Sequence, residues 1–506
     1  MSLNLTTTPF MEAGTKRLTL REAFEPGVQN LTGSPMTRLV QLKFLTAVAT
    51  AAVRPELKTL QSRRALTPGS ISRAALAYLD AHADLFDLDG EKPFLQCPEA
   101  KRAKTQPATL MLIGGISGNT PAICADSLPR LMTDAERIMS VLFAVVCAPG
   151  GKKFDPAFKE NPAEKRAVKT APVPPALGLT GSVHAVPLGD TLLDTILLNL
   201  FSEEELKGIP LYGGGIGEAP WEKRPRQFDA AYPWTLMGRL VPMVRCALLE
   251  GGQLHLGMGV IPVPVEEGAA DPTVTIRPDA SKKKGFAVLG FSGSRPTWQR
   301  AMDALGMRFA EKPENTVEWT EPDALVLKRL ELADPAAGNE DRRRLRRIDF
   351  CGELLTTRPT GDQFMSGMDG ERSMVVRIPE RFEMQHVAEN ALFLRTVERR
   401  LFAVLKSGFM EQGFPESEAG THAQLWTERF NRSAEDAAAQ VLTASEPAGA
   451  RRFAEAARSC AARALSDYDV SPARLRTGVS FAVLHLEDLF GDKKNAEKTE
   501  KKEETA

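Results

Sequence analysis

"EMQHVAENALFLRTVERRLFAVLKSGF", residues 383–409, decides the architecture of the C-terminal part of the chain. Val387, Ala391, Leu394, Val397, Leu401 and Leu405 recur at three- and four-residue spacing. The segment therefore predicts a long helix with one apolar stripe. Such a stripe needs partners, and the sequence around it supplies them. "HAQLWTERF" (422–430) continues helical, and "SAEDAAAQVL" (433–442) opens with Ser433 and Asp436 in capping-box spacing. "SEPAGARRFAEAARSCAARAL" (445–465) and "SPARLRTGVSFAVLHLEDLF" (471–490) each begin with a serine cap and an early proline. An antiparallel four-helix bundle over 381–491 is the expected packing. The tail 492–506, "DKKNAEKTEKKEETA", is charged, has no apolar face and is expected to be disordered.

Upstream the texture is mixed. "SPMTRLVQLKFLTAVATAAV" (34–53) starts with Ser-Pro, a cap and first-turn pair, and runs apolar at helical spacing. "SISRAALAYLDAHADLFDL" (70–88) predicts a second helix ending at Asp89-Gly90. Residues 149–177, with two glycines, a lysine run and "APVPPALG", read as a loop or linker. From about 180 to 300 the pattern turns to strands: "GQLHLGMGVIPVPV", "PTVTIRP" and "GFAVLGFSG" alternate or are short apolar runs bounded by glycine. The fold class is α+β, a mixed α/β N-terminal domain over 1–380 followed by the bundle.

The chain has 506 residues, 43% of them hydrophobic and 25% charged, with 64 basic against 65 acidic residues and a net charge of −1. So balanced a molecule is no general polyanion binder, and any nucleic-acid contact has to come from local patches. The six cysteines (97, 124, 147, 246, 351, 460) show no C-x-x-C spacing and read as buried or incidental thiols of a cytoplasmic protein. No signal-peptide pattern opens the sequence, and no apolar run is long enough to span a bilayer.

Catalytic chemistry finds little support. "YGGGIGEAP" (212–220) has phosphate-loop glycines, but Pro220 and "WEKRPR" follow where a helix N-terminus would be needed. A nucleotide-binding enzyme using Gly213–Gly217 stands only as an alternative. The six histidines (82, 184, 255, 386, 422, 485) are dispersed without metal-ligand spacing, and no serine sits in a nucleophile elbow. No catalytic residue, cofactor or metal is expected.

Basic runs are more informative. Lys152 and Lys153 follow Gly150 and Gly151, and Lys282, Lys283 and Lys284 lie in a turn between two strand-like segments. Lysine clusters on loops commonly meet backbone phosphates. "NEDRRRLRR" (339–347) has acidic residues within a turn and reads as a mostly self-neutralised helix. "RPTGDQFMSGMDG" (358–370), with Gly361, Gly367 and Gly370, reads as an irregular loop presenting the amide of Gln363 between Arg358 and Arg372.

These landmarks occur in a familiar order. "FDLDGEKPFLQ" (86–96), "LIGGISGNTPA" (112–122), "LGDTLLDTILLNLF" (188–201), "AYPWT" (231–235), "SRPTWQRA" (294–301) and "TGDQ" followed by "VVRIPERF" resemble segments of the CasA family. That family is the large subunit of the CRISPR type I-E Cascade complex. The collinear matches span about residues 35–385, and "DLDGEKPFLQ" is the most distinctive.

The resemblance implies recognition of the protospacer-adjacent motif in duplex DNA from the minor groove, and the start of strand separation for guide-RNA pairing. It implies Gln363 as a wedge, Gly150 and Gly151 as a glycine loop, and Asn119 within the first DNA-contacting loop. It further implies Lys282, Lys283 and Lys284 as a basic patch for the displaced strand. The flanking Arg358 and Arg372 are suited by their charge to hold phosphates while Gln363 intrudes. The implied partners are target DNA, crRNA, the backbone, small and crRNA 5′-end subunits of Cascade, and a helicase-nuclease effector. A mainly structural role in Cascade is the alternative. Two features depart from the family. The paired cysteines resembling a zinc site that some members carry are missing, and no lysine precedes "TVTI" (273–276), so a lysine finger is left unassigned.

Overall fold

The computed structural model describes residues 3–112, 131–148 and 181–466, except 208, 227–228, 261–262, 264–269, 280, 282–284, 292–294, 311–315, 333–339, 361–362, 379–382 and 444–447. The side chains of 210, 278, 354–370, 384 and 448–449 also fall outside the description. The chain forms two compact units, residues 1–291 with 322–373, and residues 292–321 with 374–506.

The first unit is organised by α1 (Pro35–Ala52), whose Ser34 cap accepts a hydrogen bond from the Thr37 amide and whose first residue is proline. Residues from Met36 to Thr50 are buried on nearly all sides of it, so this is a core helix rather than an amphipathic surface one. Around it pack α2 (Pro68–Ala81), α3 (Asp134–Val146) and α4 (Leu192–Asn199). Helix α2 is shorter than the sequence suggests. It starts at a Thr67–Ser70 capping box and stops at His82, and a separate 3-10 turn, Ala83–Phe86, follows.

Strand β1 (His184–Leu188) is an outer strand of a three-stranded sheet, while β2 (Arg245–Glu250) and β3 (Gln253–Met258) form an antiparallel hairpin. Gly251 and Gly252 turn it with φ of 55° and 79°, a conformation favouring residues without a Cβ. Strands β4 (Ile276–Pro278) and β5 (Phe286–Val288) pair with Ile276 opposite Val288. Two long strands, β6 (Arg347–Thr360) and β7 (Gln363–Arg377), complete the sheet that β1 borders, in the order β7–β6–β1.

The family-like motif at 86–96 is a core device. Phe86 and Phe94 are buried in an aromatic cluster with Phe44 and Trp221, with ring centroids 5.5–6.4 Å apart. The Gln96 amide donates to the Leu88 carbonyl at 2.7 Å and accepts from the Leu249 amide at 2.8 Å, stitching the loop to β2. Beside it the structure corrects the expectation for two cysteines: Cys97 and Cys246 form a disulfide, with Cα atoms 5.6 Å apart and a sequence separation of 149. Spacing could not show this pair, because β2 is brought to Cys97 only by the fold. Cys147, Cys351 and Cys460 are free thiols.

In the second unit, α5 (Thr297–Ala304) packs on α8 (Glu435–Leu442), which packs in turn with α6 (Met384–Glu411), α7 (Glu416–Ser433) and α9 (Ala448–Ser466). All six stripe residues of α6 named above are at most 1% exposed. Gly408 lets α6 approach α9 closely, since a Cβ there would stand 2.8 Å from the Leu465 side chain. One cap differs from expectation. Ser433 ends α7 and donates to the Phe430 carbonyl, while α8 begins after Ala434 without a side-chain cap. The helix expected over 471–490 and the tail 492–506 lie outside the described residues. So does any further bundle member they would supply. Among the described residues no helix is long and apolar enough to cross a membrane.

Candidate nucleic-acid interface

The stretch 358–370 is not the irregular loop expected. Arg358 lies in β6 and Gln363 is the first residue of β7, so the segment is two hydrogen-bonded strands joined by residues 361–362. Gly367 and Gly370 sit inside β7. A strand accepts glycine at a cost when its neighbour holds the register. Strand β6 pairs with β1 only through Arg347–Cys351. Residues 353–360 continue for about 26 Å, at roughly 3.3 Å per residue.

Such an extension needs a rigid root, and α1 provides it. Arg38 donates to Asp349 of β6 at 2.7 Å, to Ser373 of β7 at 3.0 Å and to the Gly33 carbonyl at 2.7 Å. Ser373 donates to the other Asp349 oxygen at 2.6 Å. One guanidinium thus ties both strands to one helix. Burial opposes its charge, but Asp349 outweighs that and raises the Arg38 pKa. Next to it, Glu371 of β7 accepts from the Met36 amide and the Ser34 hydroxyl, both at 3.3 Å. A carboxylate there also meets the positive end of the helix dipole.

Beneath the strands lies a buried polar cluster. Lys43 of α1 pairs with Asp271 at 2.8 Å, Asp271 accepts from the Thr273 hydroxyl, and Thr273 lies 2.8 Å from His184 Nδ1. Burial pulls the His184 pKa down to about 4, so its ring is neutral. Lys43 and hydrogen bonds overcome burial at Asp271 and hold its pKa below the ordinary value. Glu353, 1% exposed, has no such support. Burial first, then the negative charge of Glu371, pushes its pKa up to about 8, against a smaller opposing effect of Lys43.

Several expected contact segments take root around this cluster. Val183 accepts from the Thr275 amide and donates to the Leu289 carbonyl, so the β4–β5 hairpin attaches beside β1. Lys282, Lys283 and Lys284 belong to the connection between β4 and β5 and lie outside the described residues. Helix α3 ends at Cys147, a thiol pushed well up by burial and by nearby Glu353. Gly150, Gly151, Lys152 and Lys153 follow shortly after it, outside the described residues. Asn119 is likewise outside them, in the segment preceding α3. For Arg358 and Gln363 the backbone is described and the side chains are not. The clamp residues Arg38, Asp349, Glu371 and Ser373 carry no sequence signal, because they become neighbours only through tertiary packing.

The glycine run and the basic run singled out in the sequence are both described. At 212–220 the Glu203 carboxylate accepts from the Ile216 amide at 3.2 Å, and Gly214 and Gly215 bond to Trp234 and Leu236. Groups that a phosphate would need are already used. In 339–347, Arg344 pairs with Glu340 as expected, but Asp341 binds the buried Arg63 at 2.8 Å and Arg346 pairs with Asp190. The helix is neutralised partly from outside itself. Among the described residues no three histidines, cysteines or acids gather as a metal site.

The family model for CRISPR-associated protein Cse1 matches residues 4–345. No curated protein sequence matches the chain. Among solved structures, Thermobifida fusca Cse1 superposes with a TM-score of 0.67 at 17% identity, covering 96% of this chain and 97% of that one. CasA from Thermus thermophilus gives 0.61 at 20% identity, covering 97% and 99%. A chain of a CRISPR RNA-guided surveillance complex gives 0.56 at 16% identity, covering 96% and 99%.

Proposed function

Because the chain belongs to the Cse1 family of CRISPR-associated proteins, we propose that it works within a Cascade surveillance complex as the subunit that engages duplex DNA at the protospacer-adjacent motif and starts strand separation. Its partners in this reading are the crRNA, the backbone, small and crRNA 5′-end subunits, and a helicase-nuclease that docks once the target is open. A structural relative is itself a chain of an RNA-guided surveillance complex, which supports the assembly.

The observation that carries the reading is the β6–β7 hairpin, clamped at its root to α1 and bearing Gln363 at the start of its returning strand. A minor-groove edge presents acceptors on every pair and one extra donor on G·C. A glutamine amide offers donors and an acceptor and has no charge to desolvate. Two paired strands are stiff enough to push such a group between base pairs, and unstacking one step costs a few kcal/mol that new contacts offset. Sequence is then read by the guide RNA, so no nucleophile is needed.

The test compares Gln363→Ala with wild type in the assembled complex, on paired targets and on targets already unpaired beside the motif. Opening of the paired target should fall, and pre-melting should restore binding. Equal defects on both substrates, or none on either, would remove the wedge role.

A further inference from the structure

The net charge of −1 conceals an uneven surface on the second unit. Helix α9 buries Phe453, Ala454, Ala457, Ala461, Ala464 and Leu465 against the bundle. Its opposite face is exposed and carries Arg451, Arg452, Arg458 and Arg463 with one acid, Glu455. At helical spacing these residues share one broad face, spread over about 140° of the helix surface. Helix α7 extends it with the exposed Arg429, whose guanidinium lies over the Trp426 ring at 4.8 Å. Arg463 and Arg429 stand on either helix near the half-buried Cys460. Burial pushes that thiol up to about 11, and both arginines act against the shift.

Among the described residues, no ion pair ties Arg451, Arg452 or Arg463 to a carboxylate. Arg451 and Arg452 lie near the start of α9, where positive charge opposes the helix dipole, and the first turn holds no acid. The like charges of Arg451, Arg452 and Arg463 on this face repel, so their arrangement is costly until an anion covers it. Each guanidinium can take a phosphate through two parallel hydrogen bonds, a geometry lysine lacks.

We infer that the α9 face, extended by Arg429, binds the phosphate backbone of a nucleic-acid strand without reading its bases. From Arg451 to Arg463 the face runs about 18 Å at 1.5 Å per residue. That length is enough to meet several phosphates of one strand. The inference does not depend on the Gln363 wedge, because it concerns different residues and a sequence-independent contact.

The experiment titrates the full chain with fluorescent single-stranded and duplex oligonucleotides of arbitrary sequence at several salt concentrations. Wild type is compared with Arg451→Gln/Arg452→Gln/Arg458→Gln/Arg463→Gln and with the corresponding fourfold Arg→Lys variant. The Gln variant should lose about tenfold or more in affinity at low salt. Its log-affinity against log-salt slope should flatten by about 0.9 per lost contact on duplex or about 0.7 on single strands, which identifies the preferred form. The Lys variant should keep most of the slope. If the fourfold Gln variant does not fold, Arg452→Gln and Arg463→Gln singly should each flatten the slope by about one contact. Wild-type affinity and slope in the Gln variants would overturn the inference. Loss of subunit assembly with nucleic-acid binding intact would overturn it too, by assigning the face to a protein partner.

Discussion

Replacing Glu353 with glutamine should stabilise the first unit, and the gain should grow with pH. The folded-state pKa of about 8 stands above the ordinary value of 4.5, chiefly because the carboxyl is buried and faces the charge of Glu371. Between those values the folded protein holds a proton that the unfolded chain has released. Stability from this group is therefore complete below pH 4.5 and is lost as pH rises through about 8. At about 1.4 kcal/mol per pKa unit, the loss relative to a neutral isostere is roughly 1 kcal/mol at pH 5, about 3 at pH 7 and about 4 at pH 8. Glu353→Gln removes this titration. The amide can cost about 1–3 kcal/mol if a polar atom is left unpaired, but that cost does not vary with pH. The assay is urea unfolding of wild type and variant at pH 5, 7 and 8. The difference in unfolding free energy should move by about 3 kcal/mol in favour of the variant across that range. A difference independent of pH would refute the reasoning and show that Glu353 is ionised and paired in the folded protein.

Arg38→Ala should destabilise the first unit by about 2–4 kcal/mol, because it leaves the buried Asp349 without its cation. The loss should be measured by denaturant unfolding. Hydrogen exchange should quicken selectively in the β6 and β7 amides, and uniform quickening would argue against a hairpin clamp. Lys282→Ala/Lys283→Ala/Lys284→Ala should weaken binding of the complex to DNA about equally across target sequences. It should flatten the salt slope by roughly 0.9 per phosphate contact, and an unchanged slope would retire the triplet.

Helices were legible wherever burial has a simple period. The α6 stripe and the Ser34-Pro35 start of α1 depend on residues within a few positions of each other, so local sequence carries them. The two strands of the β4–β5 hairpin, with a turn between them, were visible for the same reason. The family resemblance was legible because its motifs keep their order, even where their role is packing, as at Gln96.

What local sequence could not decide was every feature made by distant partners. Glycines at 361, 367 and 370 argue for a loop, and only β1, together with the α1 clamp, makes a long hairpin of that stretch. Arg38 and Asp349 are 311 residues apart, and Cys97 and Cys246 are 149 apart. No periodicity links such positions, because the entropy of bringing them together is offset by the whole core rather than by neighbouring residues. The raised pKa of Glu353 belongs to the same class. A glutamate in a strand is ordinary as sequence, and it becomes a neutral acid only when the fold removes water and sets another carboxylate beside it.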